Sequence, residues 1–335
     1  MDTEQENMQL LGLFGIYNES YKIIFSWSKI FSQITLTLIL PLSFIFFIHI
    51  QLSEVIFGMI LDDSKNFTQT PRDTPQYQKL IQTISSDWAI FFVFKLFYFI
   101  FVLIFSLLST SAVVYTVASV YTGKEITFNK VISVVPKVWK RLMITFLCTI
   151  AAFLFYNFMV ALVVVIWALT IQEKSGGVAI FVVIMILYLA GFVYLTVVWL
   201  SASVVTVLED SYGFEAMMKS KALIKGNMGL SIIIVLKLYA LFFLIHLVFM
   251  IVVVNGGKFF NLGTVDRTVG GILCLLLLSH LFRLKLVIQT VLYFVCKSYH
   301  HEIIDKSILS DHLEVYQREY NEPLKAKDVQ LDYHV

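Results

Sequence analysis

Arg283 is the residue of this chain best placed to do chemistry. It lies in the apolar run 269–296, about 20 Å from either end if that run is helical. A guanidinium so deep cannot easily snorkel to water, so it must rely on backbone carbonyls, water, or an anionic ligand such as a lipid head group. Ser279 and His280 precede it by four and three residues and share its helical face. Lys285 is rotated from Arg283 by about 200° and shares a face with Gln289. One narrow cavity cannot receive both cations. Either the helix breaks here, or the two side chains find different surroundings. Lys95 and Lys237 lie nearer the ends of their runs, where snorkelling suffices. No Asp or Glu occupies the interior of any apolar run. Arg283, His280 and Lys237 are the candidate anion or lipid site, weighed against a purely structural role.

Other chemistries find less support. Cys296, His300 and His301 have helical metal-ligand spacing without an evident fourth ligand, so no metal is expected. There is no G-x-S-x-G, Walker or dinucleotide glycine pattern. No catalytic residue and no cofactor is expected, and the chain reads as a non-enzyme. Cys148, Cys274 and Cys296 all fall in apolar stretches and read as buried small hydrophobes. A net charge of +2 is too small for nucleic-acid binding.

The elements that must position these residues follow from composition. Of 335 residues, 59% are hydrophobic and 14% charged, against about 45–50% and 25% in soluble domains. The expected fold is all-α: a polytopic membrane protein with a bundle of six transmembrane helices. The spans are expected near 30–50, 89–120, 141–170, 178–207, 229–254 and 269–296. Residues 1–29 precede this 30–296 domain as an N-terminal segment, and 297–335 follow as a tail. Asp2, Glu4 and Glu6 argue against a cleaved signal peptide, leaving the first span as its own signal-anchor. Pro41 should kink that span without ending it. The turn 172–177 should force an antiparallel hairpin between the third and fourth spans.

Orientation follows from Lys and Arg. Fifteen lie on the side of the termini and six on the other, which places both termini in the cytosol. The sequon Asn66-Phe67-Thr68 then falls in the longest non-cytosolic loop and is a candidate glycosylation site at Asn66. Asn18-Glu19-Ser20 falls on the cytosolic side and should stay unmodified.

The two large basic loops, 121–141 and 208–228, resemble each other. Each follows small and β-branched residues at a helix end, and each leads through an amphipathic stretch into the next span. Pairing Tyr121 with Leu208 suggests an internal duplication at an offset of 87 residues. In the second loop Phe214, Met217, Met218 and Leu223 are expected on one helical arc, with lysines towards the other. In the first, Ile126 to Trp139 supply the apolar side and Pro136 divides the stretch. Eight Lys or Arg residues in these loops could hold both on an anionic leaflet, or serve as topology signals alone.

The segment 207–226 carries Glu209 at a helix end, then Ala216, Lys219, Ser220, Leu223 and Gly226. In this pattern the chain resembles a plant family of uncharacterised multi-pass membrane proteins. It is more distantly similar to the membrane domain of bacterial glycerophosphodiester phosphodiesterases. The resemblance extends through 296–302 and the tail around Val315, Tyr316 and Pro323-Leu324-Lys325. It implies six helices and a membrane location, and no reaction. The bacterial pattern has Arg where Lys219 stands, which removes a bidentate pairing. Gly226 suits a left-handed handover into the fifth span, and Glu209 could neutralise Lys219 or Lys221, so the motif is either a structural elbow or a ligand site. The expected function is a non-enzymatic scaffold or membrane organiser of the endomembrane or plasma membrane, with a basic cytosolic face contacting anionic membrane lipids. A carrier for an anionic lipid or small solute, using Arg283, is the alternative, and an intramembrane lipid enzyme comes third.

Overall fold

A chain this apolar must satisfy its backbone polar groups within itself, because hydrocarbon offers them no partner. Helices are its solution. The computed structural model describes residues 8–9, 11–71, 74–124, 126–170 and 176–300. Among these residues there is no strand, and six helices are long and apolar enough to cross a membrane. The chain is an all-α, multi-pass membrane protein.

A short helix, α1 (Leu13–Ser26), comes first. Then follow α2 (Ser28–Gln69), α3 (Pro75–Tyr121), α4 (Phe128–Thr170), α5 (Gly177–Leu208), the eleven-residue α6 (Phe214–Ile224), α7 (Met228–Val254) and α8 (Thr264–Tyr299). Phe92, Leu154, Phe155 and Leu187 are each 65–66% exposed, an arrangement that hydrocarbon accepts and water penalises.

Pro41 does not end α2, as expected, and a π-helical turn at Thr35–Ile39 immediately precedes it. Proline offers no N–H to the carbonyl one turn back, and the wider turn absorbs that loss. Two other local expectations need correction. Pro136 does not divide its stretch. It lies inside the unbroken α4, whose Val131, Val134, Val135, Val138 and Leu142 are buried on one face; burial of that face holds the helix through the missing hydrogen bond. Finally, Asn66 is not in a loop. After Gln51 no proline interrupts α2 until Pro71, so the helix continues to Gln69. Asn66 stands exposed in its last turns, its carbonyl accepting the Thr70 hydroxyl at 2.7 Å.

The described residues fall into two compact units. The first contains Leu107–Phe242 with the segments up to Ile34 and from Leu281. Its core includes Val197, Leu200, Ile224 and Val235, with Val198, Ala202 and Met217 beside them. Tyr156 of α4 stacks on Tyr188 of α5 and donates to the Tyr188 carbonyl at 2.9 Å, which pairs these two helices. Residues 171–175 of the turn between them lie outside the described residues.

The second unit contains Thr35–Ser106 and Phe243–His280. Within it Phe47 stacks on Phe249 at 4.1 Å and Phe67 on Tyr77 at 4.7 Å. A Cβ on Gly270 would come within 2.9 Å of Val252, so glycine there permits the close approach of α8 to the π-helical end of α7, Met250–Val254.

Helix starts bear on the suggested duplication. Phe128 opens α4 and Phe214 opens α6, one residue short of the 87-residue offset. The two stretches then diverge: α4 runs on through Pro136 and Trp139, whereas the second copy is interrupted at Gly226, whose φ is +109°.

Candidate functional site

The motif residues assemble at the elbow between α5 and α7. Helix α5 ends at Leu208, and Glu209 turns extended while its N–H still donates to the Val205 carbonyl at 2.8 Å. That turn points the Glu209 carboxylate inward, where it is 10% exposed. Lys219 of α6 pairs with one oxygen at 2.5 Å. Tyr293 and Lys297 of α8 both donate to the other, at 2.5 and 2.8 Å. One carboxylate thus ties three elements together. Burial pushes the Glu209 carboxyl up, but the hydrogen bonds from Lys219, Lys297 and Tyr293, with the Lys297 charge, outweigh it and hold it below the usual carboxylate range.

Arg141 of α4 secures the outer side of the elbow. It donates to the Glu209 carbonyl at 3.1 Å and pairs with the exposed Asp210 at 3.4 Å. Thr145, one turn further along α4, accepts the Gly213 N–H at 2.8 Å and lies 2.9 Å from the Thr206 hydroxyl. Gly213 has a φ of +64°, a turn that favours glycine.

Helix α6 docks through part of the arc its sequence suggests: Met217 and Leu223 turn inward, whereas Phe214 and Met218 do not. Ala216, Met217, Ser220, Leu223 and Ile224 are buried, and the Ser220 hydroxyl donates to the Val198 carbonyl at 2.7 Å. Phe214 and Met218 are exposed at 68% and 52%. The inner face mixes the small Ala216 and Ser220 with Met217, Leu223 and Ile224, of which Met217 packs with Val198 and Ala202 of α5, and Ile224 with Val197 and Leu200. Leu223 passes its carbonyl to His300 at 3.0 Å, and Tyr299 packs against Gly226. His300 is thereby engaged with backbone; His301 lies outside the described residues.

The intramembrane cations separate. Helix α8 is unbroken through Arg283 and Lys285, so the two find different surroundings. Lys285 lines a cavity of about 160 Å³ with Leu200, Val235 and Phe242, its ammonium 5.9 Å from the Tyr239 ring. Arg283 interacts with Tyr21 of α1. Lys237 is exposed and lies 5.9 Å from the Phe14 ring, also on α1. Phe14 and Tyr21 are seven residues apart, about two helical turns on one face, so this face of α1 lies near both Lys237 and Arg283. His280 is partly buried, one turn before Arg283 on α8.

Lys95 does not simply snorkel. It donates to His49 Nε2 at 2.8 Å and to the Ser53 hydroxyl at 3.0 Å. His49 is clamped between Phe94 and Tyr98, at 5.6 and 3.5 Å. The four-residue spacing of His49 and Ser53 was the available signal for this network, but their partner lies 42 residues further on. Tyr293 and Lys297 are likewise four residues apart, but their partner Glu209 lies 84 and 88 residues away.

The chain belongs to the family described as Domain of unknown function (DUF8558), matched over residues 1–334. No curated protein and no solved structure matches it.

Proposed function

We propose that this member of an uncharacterised family is a non-enzymatic integral membrane protein whose basic cytosolic face contacts anionic lipid and organises the membrane around it. The outer stripe of α6 carries the reading. Phe214, Met218, Lys221 and Lys225 follow one another along a single exposed face, with Tyr212 exposed beside it. The inner face is clamped by Ser220 and by the Lys219–Glu209 pair. A helix held in this way sets aromatic and thioether groups at the depth of the headgroups, where its lysines reach phosphates. Each is worth about 1 kcal/mol before salt screening.

Cytosolic termini belong to the same reading, supported by the excess of Lys and Arg on that side. So do residence in an endomembrane or the plasma membrane and kinship with plant proteins, both of which rest on the sequence resemblance. A carrier for an anionic lipid or solute is the second reading, favoured by the convergence of Lys237 and Arg283 on α1.

The test replaces Lys221 and Lys225 with Gln in the full chain, sparing Lys219, and measures co-purified lipid by mass spectrometry at low and high salt. Anionic lipid should fall in the variant and, for wild type, at high salt. Anionic lipid content indifferent to both would leave these lysines as topology signals and remove the proposal's main support.

A further inference from the structure

The second unit contains a groove of about 610 Å³, within the range of about 300–1,000 Å³ typical of ligand sites. Its floor includes the stacked Phe47 and Phe249. Its polarity is graded, and two helices agree on the direction. Along α8, Thr264, Arg267 and Thr268 come first, then Ile272 and Leu275. These positions span about 16 Å at 1.5 Å per residue. Along α2, Phe44 and Ile48 lie at one end and Gln51, with Leu52 beside it, at the other. One end of the groove is therefore cationic and hydroxylated, and the other is wholly apolar.

Arg267 is fixed in place. Its Nε donates to the Val253 carbonyl at 2.8 Å and its Nη2 to the Val254 carbonyl at 3.4 Å, groups left over where the π turn ends α7. These bonds immobilise the guanidinium without neutralising it. Among the described residues no carboxylate pairs with Arg267. The adjacent Asp266 accepts instead from the Gly263 N–H at 3.3 Å. A pre-positioned cation with donors to spare, at the polar end of an apolar channel in a membrane, matches an amphiphile with an anionic head.

We propose that this groove seats one acyl chain of a phospholipid, with the lipid phosphate on Arg267 and the Thr264 and Thr268 hydroxyls beside it. The chain runs over Phe47 and Phe249 towards Phe44 and Leu275. The site involves none of the α6 residues, so it stands or falls independently of the cytosolic reading.

The experiment reconstitutes the full-length protein in nanodiscs containing trace phosphatidic acid with a diazirine at the end of one acyl chain. After illumination, adducts are mapped by mass spectrometry. They should concentrate on residues 44–48 and 272–275. Ile272 is 53% exposed, so Ile272→Trp fills the groove without disturbing a packed core. It should lower these adducts about tenfold while leaving those on α4 and α5 unchanged. Because Arg267 also anchors backbone, the head is tested from the ligand side. A diacylglycerol carrying the same diazirine chain should label the groove about tenfold less, the worth of one charge-assisted contact. Inorganic phosphate should not compete, which separates a lipid site from a free-anion site. Adducts spread evenly over the apolar helices, indifference to Ile272→Trp, equal labelling by diacylglycerol, or displacement by phosphate would each overturn the assignment.

Discussion

Replacing Glu209 with Gln keeps the shape of the elbow and removes its charge. In wild type the carboxylate faces Lys297, 19% exposed, and Lys219, 41% exposed. Breaking a buried pair from one side costs about 3–5 kcal/mol. Lys219 can turn to solvent and belongs nearer the surface scale of about 0.2–1 kcal/mol. The penalty therefore falls mainly on Lys297, and a loss of about 3 kcal/mol is expected, towards the low end of the buried range. For a chain of 335 residues, whose unfolding entropy is about 0.7 kcal/mol/K, that is an apparent melting temperature lower by roughly 4 °C. A thiol-reactive fluorophore suits the measurement, because Cys296 is 2% exposed and adjacent to Lys297; loosening the elbow uncovers it. The pH dependence has a defined sign. Glu209 is held below the usual carboxylate range, so its stabilisation is present above the unfolded value of about 4.3 and is lost as pH falls through the folded one. Wild type should lead the Gln variant at neutral pH and lose that lead in acid. Equal melting at pH 7, or a gap that persists unchanged in acid, would refute the assignment of Glu209 as the charge that locks the elbow.

Gly226→Ala forces a side chain into a φ of +109° and against Tyr299; it should cost about 1 kcal/mol or more, read in the same melt. His49→Leu leaves the Lys95 ammonium with the Ser53 hydroxyl and the Phe91 ring and should cost about 1.5–3 kcal/mol. The double variant with Lys95→Leu should recover most of that, since the charge leaves with its partner. In a secretory expression system a single glycan should attach, abolished by Asn66→Gln and unaffected by Asn18→Gln; gel mobility reads the outcome.

The helices were legible because their cause is local. Runs such as 178–207 are so uniformly apolar that helix is the only viable backbone in hydrocarbon, and α5 covers Gly177–Leu208. Gly226 was legible for a similar reason, since a handover between helices calls for a left-handed residue. The arc of α6 was legible only in part. Hydrophobicity put Phe214, Met217, Met218 and Leu223 on one arc, whereas the fold buries Met217 and Leu223 with Ala216, Ser220 and Ile224 and leaves Phe214 and Met218 exposed. Which part of an apolar arc meets protein is a tertiary property. The partners of Glu209 and Lys95 were hidden for the same reason. Nothing near Glu209 in sequence announces Tyr293, and His49 meets Lys95 only because α2 and α3 pair within their unit.

The π turn at Thr35–Ile39 makes α2 tolerant of a change in length at that one place. Such a turn holds one residue more than an α turn does, so deleting a single residue there converts it to ordinary helix while the side chains downstream keep their phase. Phe47 still meets Phe249, and His49 still meets Lys95. The same deletion between Leu40 and Phe46 has no wide turn to absorb it, and it rotates Phe47 and His49 by about 100° away from those partners. Natural length variation within α2 should therefore be concentrated at the π turn.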